Sequence, residues 1–386
     1  MGRPVLRTPL CDMLGIEYPI VSAGMGPTLI GEPNGAPVEL VVAVSEAGGL
    51  GVLGGAGFSL NELKEAICDI KSKTDKPFGV DLLLPKNLPG TQEAGDLIKE
   101  DEVSLSEIMK LMPEQHANWY KKIKKEMNLP DIDHLFVKMN TVTMRPKAAV
   151  QICIDEKVPL FCAGLGDPGF MVDEAHANNM KVLGVVGNSK NAGRVARSGV
   201  DLIAAQGHEG GGHTGRVGTM ALLPQAIDAA YPVPVLGAGG IGDGRGVAAA
   251  LAMGCVGVWV GTRFLATTEG GAMELCKQKI VASTDEDTRV STLYTGKTSR
   301  ASYTKYHDLW ASSELPALPF PFQVLFSSAL LGGFIKGGLD DHVGGFAGQI
   351  SGLIHEIKPA ASVLKEMVEE TIDILKRRLP GLVAVK

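Results

Sequence analysis

Tyr18-Pro-Ile-Val-Ser-Ala-Gly-Met-Gly-Pro27 is the first apolar run in the chain that breaks into glycine. How that run ends decides the fold. An open doubly wound sheet carries G-x-G-x-x-G after its first strand, with an acidic residue about 20 positions on. Here the run ends Ala23-Gly24-Met25-Gly26-Pro27, which lacks that fingerprint.

Outward from it, short apolar runs bounded by turn signals alternate with helical patterns. The runs fall at 18–25, 50–53, 78–84, 160–163, 182–186, 201–205, 233–236 and 256–260. Helical spacing over 38–47 stops at Gly48-Gly49, a natural C-cap. Ser59 followed by Glu62 reads as a capping box, with Leu63, Ile67 and Ile70 on one face behind it. Pro146 suits the first turn of a helix reaching Lys157. Further helices are expected near 168–178, 192–198, 220–230 and 245–253. Eight strands alternating with helices imply parallel βαβ units, and they fit an α/β fold of the TIM (β/α)8 barrel type.

The alternation is interrupted over 85–133, which is polar, charged and rich in helix formers. Leu105, Ile108, Met109 and Met112 mark one amphipathic helix there, and Trp119, Ile123 and Met127 another. The segment reads as a helical insertion, either a lid or a surface subdomain. The expected organisation is a barrel from 1–84 and 134–270, the insertion at 85–133, and a C-terminal helical region at 271–386 packing on the barrel.

Composition narrows the function. With net charge −6 and no basic stripe, the chain has no electrostatic footprint for nucleic acid. At 5% aromatics it has little material for base stacking. The six cysteines form no C-x-x-C pair and lie away from any His at ligand spacing, so they read as small buried residues and no metal is expected. No apolar leader follows Met1, and the apolar stretch 320–335 is too short and too interrupted for a membrane span of about 20 residues. That stretch is expected to pack against the barrel or a second subunit, the alternative being a membrane-surface or substrate-entry patch, and a cytoplasmic protein is expected, with a homodimer plausible.

Glycine supplies 49 of the 386 residues, well above the usual share of about 7%, and the excess clusters at strand ends. The seventh strand runs into Gly237-Ala-Gly-Gly-Ile-Gly-Asp-Gly244, and the eighth ends Gly261-Thr262-Arg263. Loops after these two strands commonly build a phosphate site in barrels, where a missing Cβ lets backbone N–H groups approach the anion. Gly239, Gly240, Gly261 and Thr262 are the candidates. After the sixth strand comes Gln206-Gly-His-Glu-Gly-Gly-Gly-His-Thr-Gly215. Its histidines are five apart in a glycine-rich loop, so the helical zinc pattern H-E-x-x-H does not apply. His213, rather than His208, is the candidate for proton transfer or anion stabilisation. One His, no metal cluster and a phosphate site imply a cofactor with a phosphate tail.

These residues resemble the nitronate monooxygenases (formerly 2-nitropropane dioxygenases), FMN-containing barrels related to the FMN-dependent enoyl-ACP reductases. The likeness is carried by Pro19-Ile-Val-Ser-Ala-Gly-Met25, Ala47-Gly-Gly-Leu-Gly51, Lys76-Pro-Phe-Gly-Val80, the 205–215 loop, Pro234-Val-Leu-Gly-Ala-Gly-Gly-Ile241, Gly261-Thr-Arg-Phe-Leu-Ala266 and Ala347-Gly-Gln-Ile-Ser-Gly-Leu-Ile354. The resemblance implies that His213 is the catalytic His, and that Ala23, Gly24 and Met25 lie against the flavin of FMN. It further implies that Gln206 and Gly211 contact FMN, and that Gly239, Gly240, Gly261 and Thr262 hold its phosphate. Asp81 departs from the pattern, because many members carry Asn there to hydrogen-bond FMN, and an ionised carboxylate donates no hydrogen bond. The segment 27–37 is longer than the family's usual turn. The implied reaction is FMN-dependent oxidation of alkyl nitronates by O2 to a carbonyl compound and nitrite. The alternative is an NAD(P)H-dependent FMN reductase acting on an enoyl thioester or a quinone. A binding protein without turnover is a third reading, which absence of yellow colour and of flavin uptake would favour.

Overall fold

The computed structural model describes residues 5–27, 33–84, 102–110, 112–132, 136–138, 142–143 and 145–384. Much of the 85–133 segment and residues 28–32 of the long turn therefore lie outside the described residues.

Eight parallel strands are present: β1 (Ile20–Ser22), β2 (Gly51–Gly54), β3 (Phe78–Leu83), β4 (Leu160–Gly164), β5 (Lys181–Val186), β6 (Leu202–Gln206), β7 (Val235–Ala238) and β8 (Gly257–Val260). They pair in the order β1-β8-β7-β6-β5-β4-β3-β2. The ends meet where the Ser22 amide donates to the Leu50 carbonyl at 2.9 Å and the Leu50 amide to the Ile20 carbonyl at 3.0 Å. The sheet thus closes as a TIM barrel. Its interior is filled by Val21, Val52, Leu160, Leu183, Leu202, Leu236 and Trp259, so it is a packed core rather than a pore.

The helices follow local chemistry. Ser59 accepts from the Glu62 amide at 3.3 Å while Glu62 accepts from the Ser59 amide at 2.8 Å, so the capping box opens helix Leu60–Lys73. Gly48, at φ +101, ends Val38–Glu46 in the left-handed region that favours glycine. A short helix not expected from the sequence, Pro9–Leu14, packs Leu10, Cys11 and Leu14 with the barrel interior. Leu10 lies against Gly257 at the start of β8, so this helix covers the N-terminal end of the barrel.

Two expectations about domain organisation change. First, the barrel does not end at 270. Helix Ala360–Asp373 packs against Val38–Glu46 and Gly244–Ala252, and so takes the position of the eighth barrel helix. Its Val363, Leu364, Met367 and Val368 join the apolar layer between helices and strands. Second, the remaining C-terminal region is not all helix. Strands Thr288–Ser291 and Ser299–Ser302 form an antiparallel pair, followed by helices Lys305–Ala311 and Phe322–Lys336.

The insertion and this region share one core. Met109, Met112 and Ile123 pack with Tyr306, Phe326, Leu330 and Phe334. The apolar stretch 320–335 is therefore the buried centre of an accessory lobe, covered by the chain's own insertion. No helix among the described residues is long and apolar enough to cross a membrane. Five of the six cysteines are buried as expected, whereas Cys68 is exposed.

Candidate active site

Every residue singled out from the sequence lies at or just beyond the C-terminal ends of the strands. The chain leaves β1 through Ala23, whose amide donates to the Val260 carbonyl at 2.9 Å. Gly24 follows, so close to β3 that a Cβ would stand 2.2 Å from the Asp81 Cβ. Met25 comes next, its carbonyl accepting from the Ala36 amide at 3.0 Å. A Cβ on Gly54 would stand 2.0 Å from that carbonyl oxygen, so the β1 and β2 ends press together without side chains between them.

Asp81 sits in β3 between Gly54 of β2 and Cys162 of β4. Its Oδ1 is shut off from solvent and has no hydrogen-bond partner among the described residues. Burial pushes this carboxyl well above the usual carboxylate range, opposed only by the Gly164 N–H. Burial therefore favours the protonated form of Asp81. In that form the group offers a donor as well as an acceptor, as an ionised carboxylate does not.

Beyond β7, Gly239 and Gly240 stand at φ +85 and +71, a left-handed pair that turns the backbone sharply over the barrel mouth. Gly239 packs against Gly207 and Gly210, where a Cβ would approach backbone atoms to between 2.9 and 3.2 Å. Beyond β8, Gly261 precedes the short helix Thr262–Leu265. Thr262 Oγ1 accepts from the Gly348 amide at 2.9 Å. Gly211 faces Ala347 and Gly348, where a Cβ would meet the Gly348 nitrogen at 2.7 Å. The Ala347-Gly-Gln-Ile motif thus braces both loops, a role that its sequence does not state.

The loop after β6 carries the candidate histidines, and they differ. His208 Nδ1 lies 2.7 Å from the Gly215 carbonyl, and its own carbonyl accepts from Arg300 at 3.2 and 3.1 Å. It staples the loop. Gly212–His213 instead forms a two-residue strand paired antiparallel with Ser299–Ser302, Ser299 opposite His213 and Arg300 opposite Gly212. Gln206, the last residue of β6, donates from Nε2 to the His213 carbonyl at 2.8 Å. His213 Nε2 lies 3.1 Å from Thr295 Oγ1, and its ring stands 6.4 Å from that of Phe346. Burial lowers the His213 pKa to about 4, with repulsion from Lys297 adding to it, so the imidazole is neutral at pH 7. Thr295 and Lys297 were missed from the sequence because they belong to a hairpin far along the chain, with no motif of their own.

Strand ends that press together through glycine, a left-handed glycine turn over the barrel mouth and a buried acid with an unmatched oxygen fit a flat cofactor with an anionic tail. The comparisons agree with that geometry. Residues 7–370 match the model of the nitronate monooxygenase family, and the chain belongs to this family of flavin-dependent oxidoreductases. It is 33% identical to a putative monooxygenase of Mycobacterium tuberculosis, over 98% of this chain and 100% of that one. Among solved structures it is similar to FabK from Thermotoga maritima, with 31% identity, a TM-score of 0.73 and coverage of 98% and 100%. It is also similar to a nitroalkane oxidase from Streptomyces ansochromogenes, with 25% identity, a TM-score of 0.76 and coverage of 94% and 98%.

Proposed function

We propose that the protein binds FMN and oxidises alkyl nitronates with O2, giving a carbonyl compound and nitrite. The observation that carries this reading is His213: a neutral imidazole at the C-terminal face of the barrel, fixed on a paired strand beside Gln206 and Thr295. Ala23, Gly24 and Met25 would lie along the flavin, and Asp81 would hydrogen-bond its ring edge as a neutral acid. Gln206 and Gly211 complete the wall from the β6 side. Gly239, Gly240, Gly261 and Thr262 would hold the phosphate through backbone N–H groups and one hydroxyl. When bound, the flavin supplies the electron acceptor.

The protein's own share of the chemistry is small. A nitronate is already an electron-rich anion, so the site must hold it and exclude water. A nitroalkane must first lose its α-proton, and a neutral His213 has a lone pair for it. Replacing His213 with Ala should leave FMN bound and lower turnover of a nitroalkane by about 100-fold or more, the span over which a positioned base acts. Full turnover in that variant would remove His213 from the mechanism.

The likeness to FabK favours a second reading, an NAD(P)H-dependent FMN reductase acting on an enoyl thioester or a quinone. Anaerobic mixing followed by flavin absorbance separates the two. Rapid bleaching by ethyl nitronate, and not by NADH or NADPH, supports the first; the reverse supports the second.

A further inference from the structure

We propose that Thr295 sets the tautomer of His213, keeping a proton on Nε2 and leaving Nδ1 as the atom that takes the substrate proton. The inference rests on His213 acting as the base and goes beyond it, because it names the working nitrogen and the residue that selects it.

The selection follows from counting hydrogens around one oxygen. Thr295 is buried and lies between the hairpin strands Thr288–Ser291 and Ser299–Ser302, the second of which pairs with His213. Its Oγ1 has three neighbours: the Lys297 carbonyl at 3.1 Å, the Lys297 amide at 3.3 Å and His213 Nε2 at 3.1 Å. A threonine hydroxyl has one proton and two lone pairs. A carbonyl oxygen only accepts, so it takes the hydroxyl proton. An amide N–H only donates, so it uses one lone pair. The remaining lone pair faces Nε2, which must donate. Turning the hydroxyl proton toward Nε2 instead would leave the Lys297 carbonyl without this partner, so only the first arrangement satisfies all three contacts.

Both polarity-setting groups are backbone, which neither ionises nor swaps donor for acceptor. The third orienting contact comes from Gln206, which holds the His213 carbonyl and with it the strand. Nδ1 makes no hydrogen bond among the described residues and is not among the fully enclosed orphan atoms. It is therefore the free lone pair. In the step it serves, the α C–H bond of a nitroalkane breaks and the proton bonds to Nδ1. The electron pair stays on carbon, conjugated with the nitro group, and the resulting imidazolium keeps Nε2–H on Thr295. A preformed nitronate needs no such step.

The test compares FMN-loaded wild type, Thr295→Val and Thr295→Ser, using nitroethane and preformed ethyl nitronate as probes. Nitrogen NMR of histidine-labelled protein without flavin reads the tautomer directly. Wild type and Thr295→Ser should show His213 protonated on Nε2, and Thr295→Val should show a mixture or the Nδ1 form. In Thr295→Val, kcat for nitroethane should fall by about tenfold or more relative to kcat for ethyl nitronate, and Thr295→Ser should recover most of the ratio. An Nδ1-protonated His213 in wild type, or an unchanged ratio in Thr295→Val, overturns the proposal. Failure of the base assignment itself looks different: His213→Ala would retain nitroethane turnover, whatever tautomer the spectra show.

Discussion

Asp81 and His213 are displaced from their ordinary pKa values by the same cause, desolvation of the charged form, which favours the protonated acid at Asp81 and leaves the His213 imidazole neutral at pH 7. For Asp81 the consequence can be measured as stability. An unfolded Asp loses its proton near pH 3.9, whereas the folded one keeps it to a much higher pH. Between those two values the native state holds a proton that the unfolded state has released, so stability falls as pH rises. Asp81→Asn keeps the shape and removes the ionisation. Without flavin, the variant should melt above wild type at about pH 8, and the gap should shrink toward about pH 5. A gap that widens as the pH falls would show that Asp81 is ionised in the folded protein. The sequence made Asp81 visible as an oddity against a familial Asn, but the burial that favours its protonated form comes from the fold alone. His213 was legible from the glycines around it. Thr295 was not, since a hydroxyl 82 positions away is linked to it only by tertiary pairing.

At the scale of elements, the eight strands were readable because each is a short apolar run closed by glycine or a turn. That pattern reflects burial on both faces of a parallel sheet. The small antiparallel sheet was not readable. Its strands Thr288–Ser291 and Ser299–Ser302 are polar, and the third is only Gly212–His213. The motif at 347–354 shows no role in the sequence, and Gly348 supplies one in the fold. A Cβ on Gly348 would stand 2.7 Å from the Glu209 carbonyl oxygen, 3.0 Å from the Gly211 nitrogen and 3.3 Å from Thr262 Oγ1. Two of these are backbone atoms of the loops that flank the phosphate candidates. Gly348→Ala should therefore push the β6 and β8 loops apart, cost about 1–3 kcal/mol as overpacking does, and weaken FMN binding by about tenfold or more. Gly218→Ala is the control, because its Cβ would meet only Glu209 Oε1 at 3.7 Å. Flavin titration by fluorescence quenching compares them, and equal affinity in the two variants would separate Gly348 from the cofactor site.

Across the whole molecule, barrel and accessory lobe are interleaved along the chain rather than joined end to end. The chain enters the lobe after β3, returns for β4 to β8, enters it again after β8, and comes back through the 347–354 motif to helix Ala360–Asp373. That return is anchored where the Thr268 amide donates to the Lys358 carbonyl at 3.2 Å and the Ala360 amide to Glu269 Oε2 at 2.9 Å. The helix is secured again by the Gly244 amide donating to Glu370 Oε2 at 2.9 Å. Removing the segment from 358 onward would uncover the faces of Val38–Glu46 and Gly244–Ala252 on which the helix packs, near Val44 where Leu364 lies. Four buried aliphatic side chains leave with the helix, each contributing about 1.5–3 kcal/mol by burial, a loss comparable to the whole stability of an ordinary domain. A chain ending at 357 should therefore be insoluble, or bind a hydrophobic dye and melt without a cooperative transition. Phe326→Ala, in the lobe core, should cost about 3–5 kcal/mol and still leave a cooperatively folding protein with its flavin site assembled. If the truncated chain instead melts cooperatively and takes up flavin, the eighth helix is an addition to a barrel that is complete without it. If Phe326→Ala loses the flavin site as well, the two cores fold as one unit.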